Sequence, residues 1–309
     1  MIHIDASNGG GQILRTALGL SVFTGKAFTM ENIRSSRPNP GLREQHLKCV
    51  LSLLELSEGE CAGAEIDSQK IIFTPETILS GELAVDIRTA GSIGLLLQAL
   101  LIPTLKTDLV IKINGGGTYG KFAPPISHLD NVLFLLLKKM GYNVETEIHH
   151  QGFYPKGGAR VDVHSYKAEL KPLHIKEKGK IVSIKGISLA SKQLEKAQVA
   201  ERQAEKAKGI LSKKFKEEIN IEIKYVDALN PGSAIQLTIE TENTFFGGDC
   251  VGEKGKKAEL VGEGAANSLI ESFENGTVDI HTADMLLPYI AIAGGSYKAP
   301  EITDHIKTN

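Results

Sequence analysis

The amino-acid sequence predicts an α/β fold (α+β) assembled from sequential β/α repeats. A strand-like run, a glycine turn and an apolar helix recur in this order through the first half of the chain, and such recurrence is typical of α/β proteins. The pattern changes near Lys178 and returns after Asn275-Gly276. Since 309 residues with 41% hydrophobic content can bury a sizeable core, we expect two domains.

The first unit is predicted from the N-terminal residues. Residues 2–5 and 27–33 have strand character, whereas residues 12–24 and 45–56 carry apolar side chains at helical spacing. Three glycines, at positions 9–11, separate the first strand from the first helix, and a Pro/Gly turn at 38–41 precedes the second helix. Two more strands are expected to complete this unit.

A second unit of the same kind follows. Residues 83–87 and 108–114 are predicted strands, with turns at 90–92 and at the glycines 115–117. Residues 93–101 and 125–140 are predicted helices, and residues 142–148 a strand. Gln98 is an uncharged polar residue in an otherwise apolar helix, so its amide must hydrogen-bond to backbone or to a ligand.

The C-terminal half is predicted to contain a separate small α/β domain. Strands at 181–187, 219–226 and 234–239 accompany a long charged helix at 192–215 and a helix at 259–273. The alternation of helices and glycine turns seen in the first half returns with a helix at 282–293. We therefore predict a large domain of residues 1–177 plus 276–309 and a small inserted domain of residues 178–275.

Composition restricts the protein classes. A net charge of −2 argues against a protein that coats duplex nucleic acid, although it does not exclude binding of one RNA end. Three scattered cysteines fit neither a disulfide framework nor a CxxC zinc site. The most apolar run, residues 95–105, is too short to span a bilayer, so we expect a cytoplasmic protein without a membrane association.

Two motifs near the N-terminus suggest anion binding. Glycines 9–11 open a helix, where backbone N–H groups and the helix dipole favour an anion, although a tight turn is the more common reason for such a glycine run. The segment 34–46 concentrates Arg34, Arg37, Arg43, Gln45 and His46 in a loop that runs into a helix. Arginines form forked hydrogen bonds to phosphate; pairing with Glu31 and Glu44 is the structural alternative.

A third pattern lies near the C-terminus. His281 and Asp284 are three residues apart at a helix start and so share a face. Asp279 or Thr282 is expected to cap this helix, which leaves Asp284 free to accept from a ligand. The residues alone do not identify a reactive group among the nine histidines.

An ordered set of segments closely resembles the RNA 3′-terminal phosphate cyclase family. The segments are GGGQILR (9–15), RPNPGLREQHL (37–47), AGSIGLLLQ (90–98), GGT (116–118) with APP (123–125), GFYPKGG (152–158), AD (283–284) and His305. The resemblance covers nearly the whole chain. It implies a large domain of three βαβαββ-type repeats with a small inserted α/β domain.

The resemblance also implies a mechanism. In the family a histidine Nε attacks the α-phosphorus of ATP, AMP passes to an RNA 3′-phosphate, and the 2′-hydroxyl displaces AMP to form a 2′,3′-cyclic phosphate. By position, His305 is the nucleophile. The residues matching those that hold adenosine and orient the histidine are Gln98, Pro124, His281 and Asp284. Those matching phosphate-binding and RNA-end residues are Arg15, Arg34, Arg37, Gln45 and His46.

The resemblance further implies a divalent metal, Mg²⁺ or Mn²⁺, with ligands unassigned, and it leaves a homodimer open. Three positions depart from the family pattern: Asn8 stands where relatives usually carry a glutamate before the glycines, Met285 replaces a common glutamine, and His281 replaces an aromatic residue. The chain also ends at Asn309, where relatives continue. The alternatives are a catalytically inactive cyclase-like protein in ribosomal RNA processing and a transferase acting on a small phosphorylated metabolite.

Overall fold

The computed structural model describes residues 1–120 and 123–309. The first unit contains six elements: β1 (Ile2–Asp5), α1 (Gly11–Thr24), β2 (Phe28–Glu31), α2 (Glu44–Ser57), β3 (Glu60–Ala62) and β4 (Ile71–Thr74). Its sheet has the order β1-β2-β4-β3, in which β1 and β2 are parallel and the other neighbours antiparallel. This is a βαβαββ unit, as predicted.

The second unit repeats this topology. Its elements are β5 (Gly81–Ser92), α3 (Ile93–Leu100), a 3₁₀ turn (Pro103–Lys106), β6 (Leu109–Gly117), α4 (Ile126–His128), a π turn (Leu129–Leu133), α5 (Phe134–Lys139), β7 (Val144–His150) and β8 (Arg160–Ser165). The sheet order β5-β6-β8-β7 and the strand directions match those of the first unit. The two units are therefore equivalent in connectivity.

The glycine run at 115–117 lies inside a strand rather than ending it, which corrects the sequence prediction. Gly115 has a φ of 85° and Gly116 a φ of 77°, values that favour glycine. A Cβ at Gly115 would lie 1.9 Å from the carbonyl oxygen of Ile87 on the neighbouring strand. The glycines thus permit an irregular, close pairing that continues to Ser92 and Gly117, so the predicted turn at 90–92 is also within strand β5.

After β9 (Leu173–His174) the chain enters a different sheet. The elements of this segment are β10 (Ile181–Ser191), a 3₁₀ turn (Lys192–Ala197), α6 (Val199–Lys214), β11 (Ile219–Val226), β12 (Ser233–Thr241), β13 (Phe245–Val251) and α7 (Ala258–Asn275). The sheet order is β11-β10-β12-β13. The single helix predicted at 192–215 is divided at Gln198, whose φ of 49° interrupts helical geometry.

The chain then returns to the first half's pattern through α8 (Ile280–Met285), α9 (Leu287–Ala293), β14 (Gly295–Ser296) and α10 (Asp304–Thr308). The predicted helix at 282–293 is divided at Leu286. β14 pairs in parallel with β9, as β1 pairs with β2 and β5 with β6. This third unit contains one parallel strand pair in the part of the chain that the structure describes.

Two large hydrophobic cores underlie these sheets. One contains residues of the first two units together with Phe245 and part of α8 and α9, and the other contains residues between Ile184 and Leu269. The predicted α/β class is confirmed. The separate second core supports the division at residues 178 and 275, which stays a prediction. Among the described helices, none combines the length and apolarity needed to cross a bilayer.

Candidate active site

His305 lies in the first turn of α10, where the side chain of Thr303 caps the helix by accepting from the N–H of Ile306. The imidazole Nδ1 is 3.0 Å from Oδ2 of Asp284. Because a carboxylate only accepts, Nδ1 carries the proton and Nε2 keeps its lone pair. The His305 side chain is 52% exposed and that of Asp284 15%, so an oriented imidazole presents Nε2 to an incoming ligand.

Helix α10 is held against the glycine-led helix α1. Gln12 Nε2 donates to the carbonyl oxygen of His305 (3.3 Å), and Thr16 Oγ1 donates to Asn309 Oδ1 (2.8 Å). Asn309 Nδ2 in turn donates to the carbonyl oxygen of Asp284 (3.4 Å). Three helices from distant parts of the sequence therefore converge on the same position.

The half-buried Gln98 and the buried Arg15 form a pair beside this position. Arg15 Nε donates to Gln98 Oε1 at 3.2 Å, and Arg15 is only 6% exposed. Gln98 was expected to bond to backbone or a ligand, and the partner is instead a side chain. Burial lowers the pKa of the Arg15 guanidinium, while the charge of Asp284 raises it. Gln98 and Asp284 line one pocket together with Gln12 and Met285, so the predicted adenosine residues partly converge.

His46 is a neutral hydrogen-bond donor at the start of α1. Its Nδ1 accepts from the backbone N–H of Arg43 (3.2 Å), so its proton resides on Nε2. Burial, together with the charges of Arg34, Arg15 and Arg43, lowers the pKa of His46 to about 3. A Cβ at Gly11 would lie 2.2 Å from Nε2. The glycine therefore makes room for this imidazole at the helix N-terminus.

The other predicted phosphate-binding residues lie in the adjoining loop. Arg34 Nη1 donates to the carbonyl oxygens of Asn39 (2.7 Å) and Gly41 (2.9 Å), so part of this side chain shapes the loop. Arg37 is exposed, and its Nη2 is 3.3 Å from the position of a Cβ on Gly10. Gln45 Oε1 accepts from the N–H of Ser92 (3.5 Å). Arg37 thus faces the glycine loop.

The proposed structural alternative for this loop, arginines paired with Glu31 and Glu44, is wrong for Glu31. Glu31 forms an ion pair with Lys70 at 2.7 Å. Arg43 pairs with Asp67 instead. The local acids therefore leave the charge of Arg34 and Arg37 available to a ligand.

His281 lies in the first turn of α8, and of the two predicted caps, Asp279 and Thr282, Asp279 is the one that caps this helix. Asp279 Oδ1 accepts from the N–H groups of His281 (3.0 Å) and Thr282 (2.9 Å), so Asp284 is released from capping. Pro124 is buried, and its carbonyl oxygen would be 2.4 Å from a Cβ on Gly94 in the first turn of α3. The close approach of these two residues explains why a glycine precedes the apolar part of that helix.

Two residues in this region were missed at the level of the sequence. His128 packs edge-on against His281 (ring centroids 5.5 Å apart), and Asp249 Oδ1 is 3.6 Å from His281 Nε2. The signal for His128 was an imidazole within the apolar helix predicted at 125–140. Asp249 follows two phenylalanines and two glycines in a strand, a pattern that carries no comparable signal.

The residues present do not form a ready metal site. In residues 1–120 and 123–309, no three His, Cys, Asp or Glu side chains are arranged to hold a metal ion. Asn8 is exposed, and the nearest carboxylate before the glycines, Asp5, accepts from Asn32 Nδ2 and Ser7 N, both at 3.0 Å. An amide is a weaker metal ligand than a carboxylate, so no metal cage is formed here by protein groups alone.

Comparison with known proteins extends over the whole chain. A sequence model of the family described as RNA 3′-terminal phosphate cyclase matches residues 6–309. A protein of that name from Thermococcus kodakarensis is 42% identical over 313 residues, which cover 100% of this chain and 90% of the relative. Those from Pyrococcus abyssi and Saccharolobus solfataricus are 41% and 39% identical, with 100% of this chain and 91% and 92% of the relatives covered.

The matched range includes the glycine loop, the arginine loop, the Gln98 helix and the His305 helix. The structure brings the glycine-led helix, the Gln98 helix and the His305 helix together around His305 and Asp284, and it places Arg37 and His46 of the arginine loop beside the glycines. On the strength of the full-length match, the chain belongs to the RNA 3′-terminal phosphate cyclase family.

Proposed function

We propose that this protein converts an RNA 3′-terminal phosphate to a 2′,3′-cyclic phosphate at the expense of ATP, through a covalent His305–AMP intermediate. The observation that carries the proposal is the 3.0 Å contact between His305 Nδ1 and Asp284. It fixes the tautomer in which Nε2 is the nucleophile. A carboxylate behind an imidazole also stabilises the positive charge that develops when Nε2 forms a bond.

The reaction then proceeds in three displacements. His305 Nε2 bonds to the α-phosphorus of ATP, and the bond to pyrophosphate breaks. An oxygen of the RNA 3′-phosphate next attacks that phosphorus, which releases Nε2 and yields an RNA 3′-adenylate. The vicinal 2′-hydroxyl finally attacks the 3′-phosphorus, loses its proton and expels AMP. Each step shifts negative charge onto phosphoryl oxygens.

The residues around His305 suit the stabilisation of that charge. Arg15, Arg34 and the Nε2–H of His46 are donors held by hydrogen bonds near the N-terminus of α1, and they need little reorganisation during reaction. The exposed Arg37 faces the same glycine loop. Gln45 belongs to the same group by position. We assign these residues to the triphosphate and the RNA end, and we assign Gln98, Pro124, His281 and Asp284 to the nucleoside.

We also propose that a divalent metal, Mg²⁺ or Mn²⁺, enters the site bound to the phosphates of the nucleotide. Mg²⁺ commonly binds through one or two carboxylates together with substrate phosphates. The described residues contain no cluster of three ligating side chains, so no step is assigned to a protein-bound metal. Cytoplasmic location and homodimer formation are likewise predictions.

A second candidate function is a catalytically inactive, cyclase-like role in ribosomal RNA processing. Asn8 favours it, because this exposed amide stands where relatives usually carry a carboxylate. The orientation of His305 argues against this role. A protein without catalytic activity does not need a carboxylate to accept the Nδ1 hydrogen bond of an exposed histidine.

The deciding experiment is transfer of α-labelled AMP from ATP to protein in the presence of Mg²⁺ or Mn²⁺. We expect acid-labile, alkali-stable label on the wild type and on His174→Ala, whose imidazole contacts Ser296 on β14, and no label on His305→Ala. Absence of label from the wild type would favour the inactive alternative. Label that persists on His305→Ala would identify another histidine as the nucleophile.

A further inference from the structure

A buried polar cluster joins the inserted sheet to the helix that carries His281. Its members are His128 of α4, Asp249 of β13, and Asp279 and His281 at the start of α8. His128 is fully buried and the Asp249 side chain is 10% exposed. Two atoms of the cluster, His128 Nδ1 and Asp249 Oδ1, are buried and have no hydrogen-bond partner in the part of the chain that the structure describes. Such atoms are costly and call for an explanation.

The proton of His128 can be located from its neighbours. Thr282 Oγ1 donates its hydrogen to Asp279 Oδ2 at 2.8 Å, so this hydroxyl can only accept from His128 Nε2, which is 3.3 Å away. Asp279 Oδ1, 3.4 Å from the same nitrogen, is also an acceptor. His128 therefore carries its proton on Nε2, and burial lowers its pKa so that the ring stays neutral.

This assignment leaves Asp249 with a single partner in the cluster. His128 Nδ1 faces Asp249 Oδ1 at 3.9 Å, but it has a lone pair and no hydrogen to donate. The other nitrogen near that oxygen is His281 Nε2, at 3.6 Å. With a proton on Nε2, this N–H faces the carboxylate of Asp249. The distance lies just beyond that of a hydrogen bond but within that of an ion pair, and the His281 side chain is 39% exposed.

We propose that Asp249 is a positioning residue for nucleotide binding, which acts by holding the ring of His281 in the orientation that receives the base. This inference rests on the nucleoside role assigned to His281 above. Asp249 anchors the ring through Nε2, and the edge of His128 supports it at an interplanar angle of 88°. The inserted segment thereby contributes to nucleotide affinity through a residue that itself contacts no nucleotide.

The proposal predicts energetic coupling between Asp249 and His281. We expect Asp249→Asn, which keeps the shape but removes the charge, to raise the dissociation constant for ATP about 5- to 50-fold, a range typical of residues in contact. In a His281→Phe background, whose ring has no nitrogen for Asp249 to hold, the same change should alter ATP affinity less than about twofold. A role in packing alone would weaken binding equally in both backgrounds.

The experiment is a calorimetric titration with ATP of the wild type, both single variants and the double variant, each checked for an unchanged melting temperature. Asp227→Asn is the matched control, since this acid of the inserted segment is exposed and pairs with Lys192, and it should bind ATP as the wild type does. Unaltered affinity in Asp249→Asn, or equal losses in both backgrounds, would overturn the proposal. Binding is measured directly, so ATP binding without AMP transfer would contradict the proposed catalysis but leave this test valid. If the wild type did not bind ATP, both the proposed catalysis and the role of Asp249 would be overturned.

Discussion

Asp284 and His305, 21 residues apart along the chain, meet at 3.0 Å, with the carboxylate Oδ2 accepting from the imidazole Nδ1. The carboxylate is largely buried and the imidazole half exposed. Asp284 is therefore the fixed partner, and His305 is the one accessible to a ligand. Asn309 also links the backbones of these two residues, because its Nδ2 donates to the carbonyl oxygen of Asp284 and its backbone N–H donates to that of His305. The contact is therefore built into the fold on both sides.

Asp284→Asn should slow transfer of AMP from ATP to His305. An asparagine amide can donate to Nδ1, which stabilises the tautomer with the proton on Nε2 and removes the nucleophilic lone pair. We expect the rate to fall by about 10²- to 10⁴-fold, the scale seen when a catalytic histidine loses the carboxylate behind it. Single-turnover AMP labelling measures the rate.

Asp304→Asn is the control for that change. Asp304 neighbours His305 in sequence, is exposed, and pairs with Lys307 at 3.3 Å. We expect labelling within about twofold of the wild type, since exposed ion pairs contribute little. If both variants lost AMP labelling equally, removal of any negative charge near α10 would slow the reaction. The Asp284 contact would then have no special role.

The local elements around this site follow from the sequence, whereas the contacts do not. Helical spacing located α1 and α2 within one residue of their observed starts, and the pair His281 and Asp284 was placed on one face with Asp279 or Thr282 as the cap. These features depend on residues within a few positions of one another. Such local features can therefore be predicted from a single amino-acid sequence.

Contacts between distant segments could not be predicted from residue patterns. Gln98 was identified as a polar group in need of a partner, but that partner, Arg15, is 83 residues away and reaches it only because α1 packs on α3. Asp249 meets His281 for a similar reason, since strand β13 of the inserted sheet packs against α8. The resemblance named both Gln98 and Arg15 without pairing them, and it named His281 but not Asp249, so in both cases the tertiary fold supplied the contact.

His46 should make the protein less stable as the pH falls. Its pKa in the folded protein is about 3, against 6.5 for an ordinary histidine. Between these values the unfolded chain takes up a proton that the folded protein does not, so the free energy of unfolding decreases as the pH falls through this window. The contribution is up to about 1.4 kcal/mol per pH unit.

His46→Gln removes this titration, so its free energy of unfolding should depend less steeply on pH than that of the wild type. Urea unfolding of both proteins at about pH 7 and about pH 5 measures the difference, which we expect to reach roughly 1–2 kcal/mol. His174→Gln, at an exposed histidine on β9, should keep the wild-type dependence. A His46→Gln protein with the full wild-type dependence would mean that His46 is protonated in the folded state.

Two glycine-to-alanine changes should have opposite signs. Gly11→Ala places a Cβ 2.2 Å from His46 Nε2, so the imidazole must move from its hydrogen bond with Arg43, and we expect a loss of about 1–3 kcal/mol. Gly209→Ala lies within α6, where an added Cβ has no neighbour within 4 Å. It should stabilise the protein by about 0.5–1 kcal/mol. Thermal unfolding measures both, and a neutral Gly11→Ala would refute the close packing of His46 on the glycine loop.

Arg37→Ala should separate the two halves of the reaction. The exposed guanidinium faces the glycine loop and is assigned to the RNA end, whereas His305 and Asp284 act on ATP. We therefore expect AMP labelling of the protein within about threefold of the wild type, and transfer of AMP to an RNA 3′-phosphate slower by about 10²- to 10³-fold, the scale for loss of one preorganised donor. Arg37→Lys should recover only part of the loss, because an ammonium group cannot form the forked contact.

The measurement is a chase of isolated AMP-labelled protein with RNA bearing a 3′-phosphate, followed over time by release of label. Arg202→Ala is the matched control, since its guanidinium is committed to Glu259 between α6 and α7 of the inserted segment, and it should behave as the wild type in both steps. If Arg37→Ala instead lost labelling and transfer to the same extent, the arginine would belong to the ATP triphosphate. The RNA end would then have to be bound by Arg34, Gln45 and His46 among the loop residues assigned to the triphosphate and the RNA end.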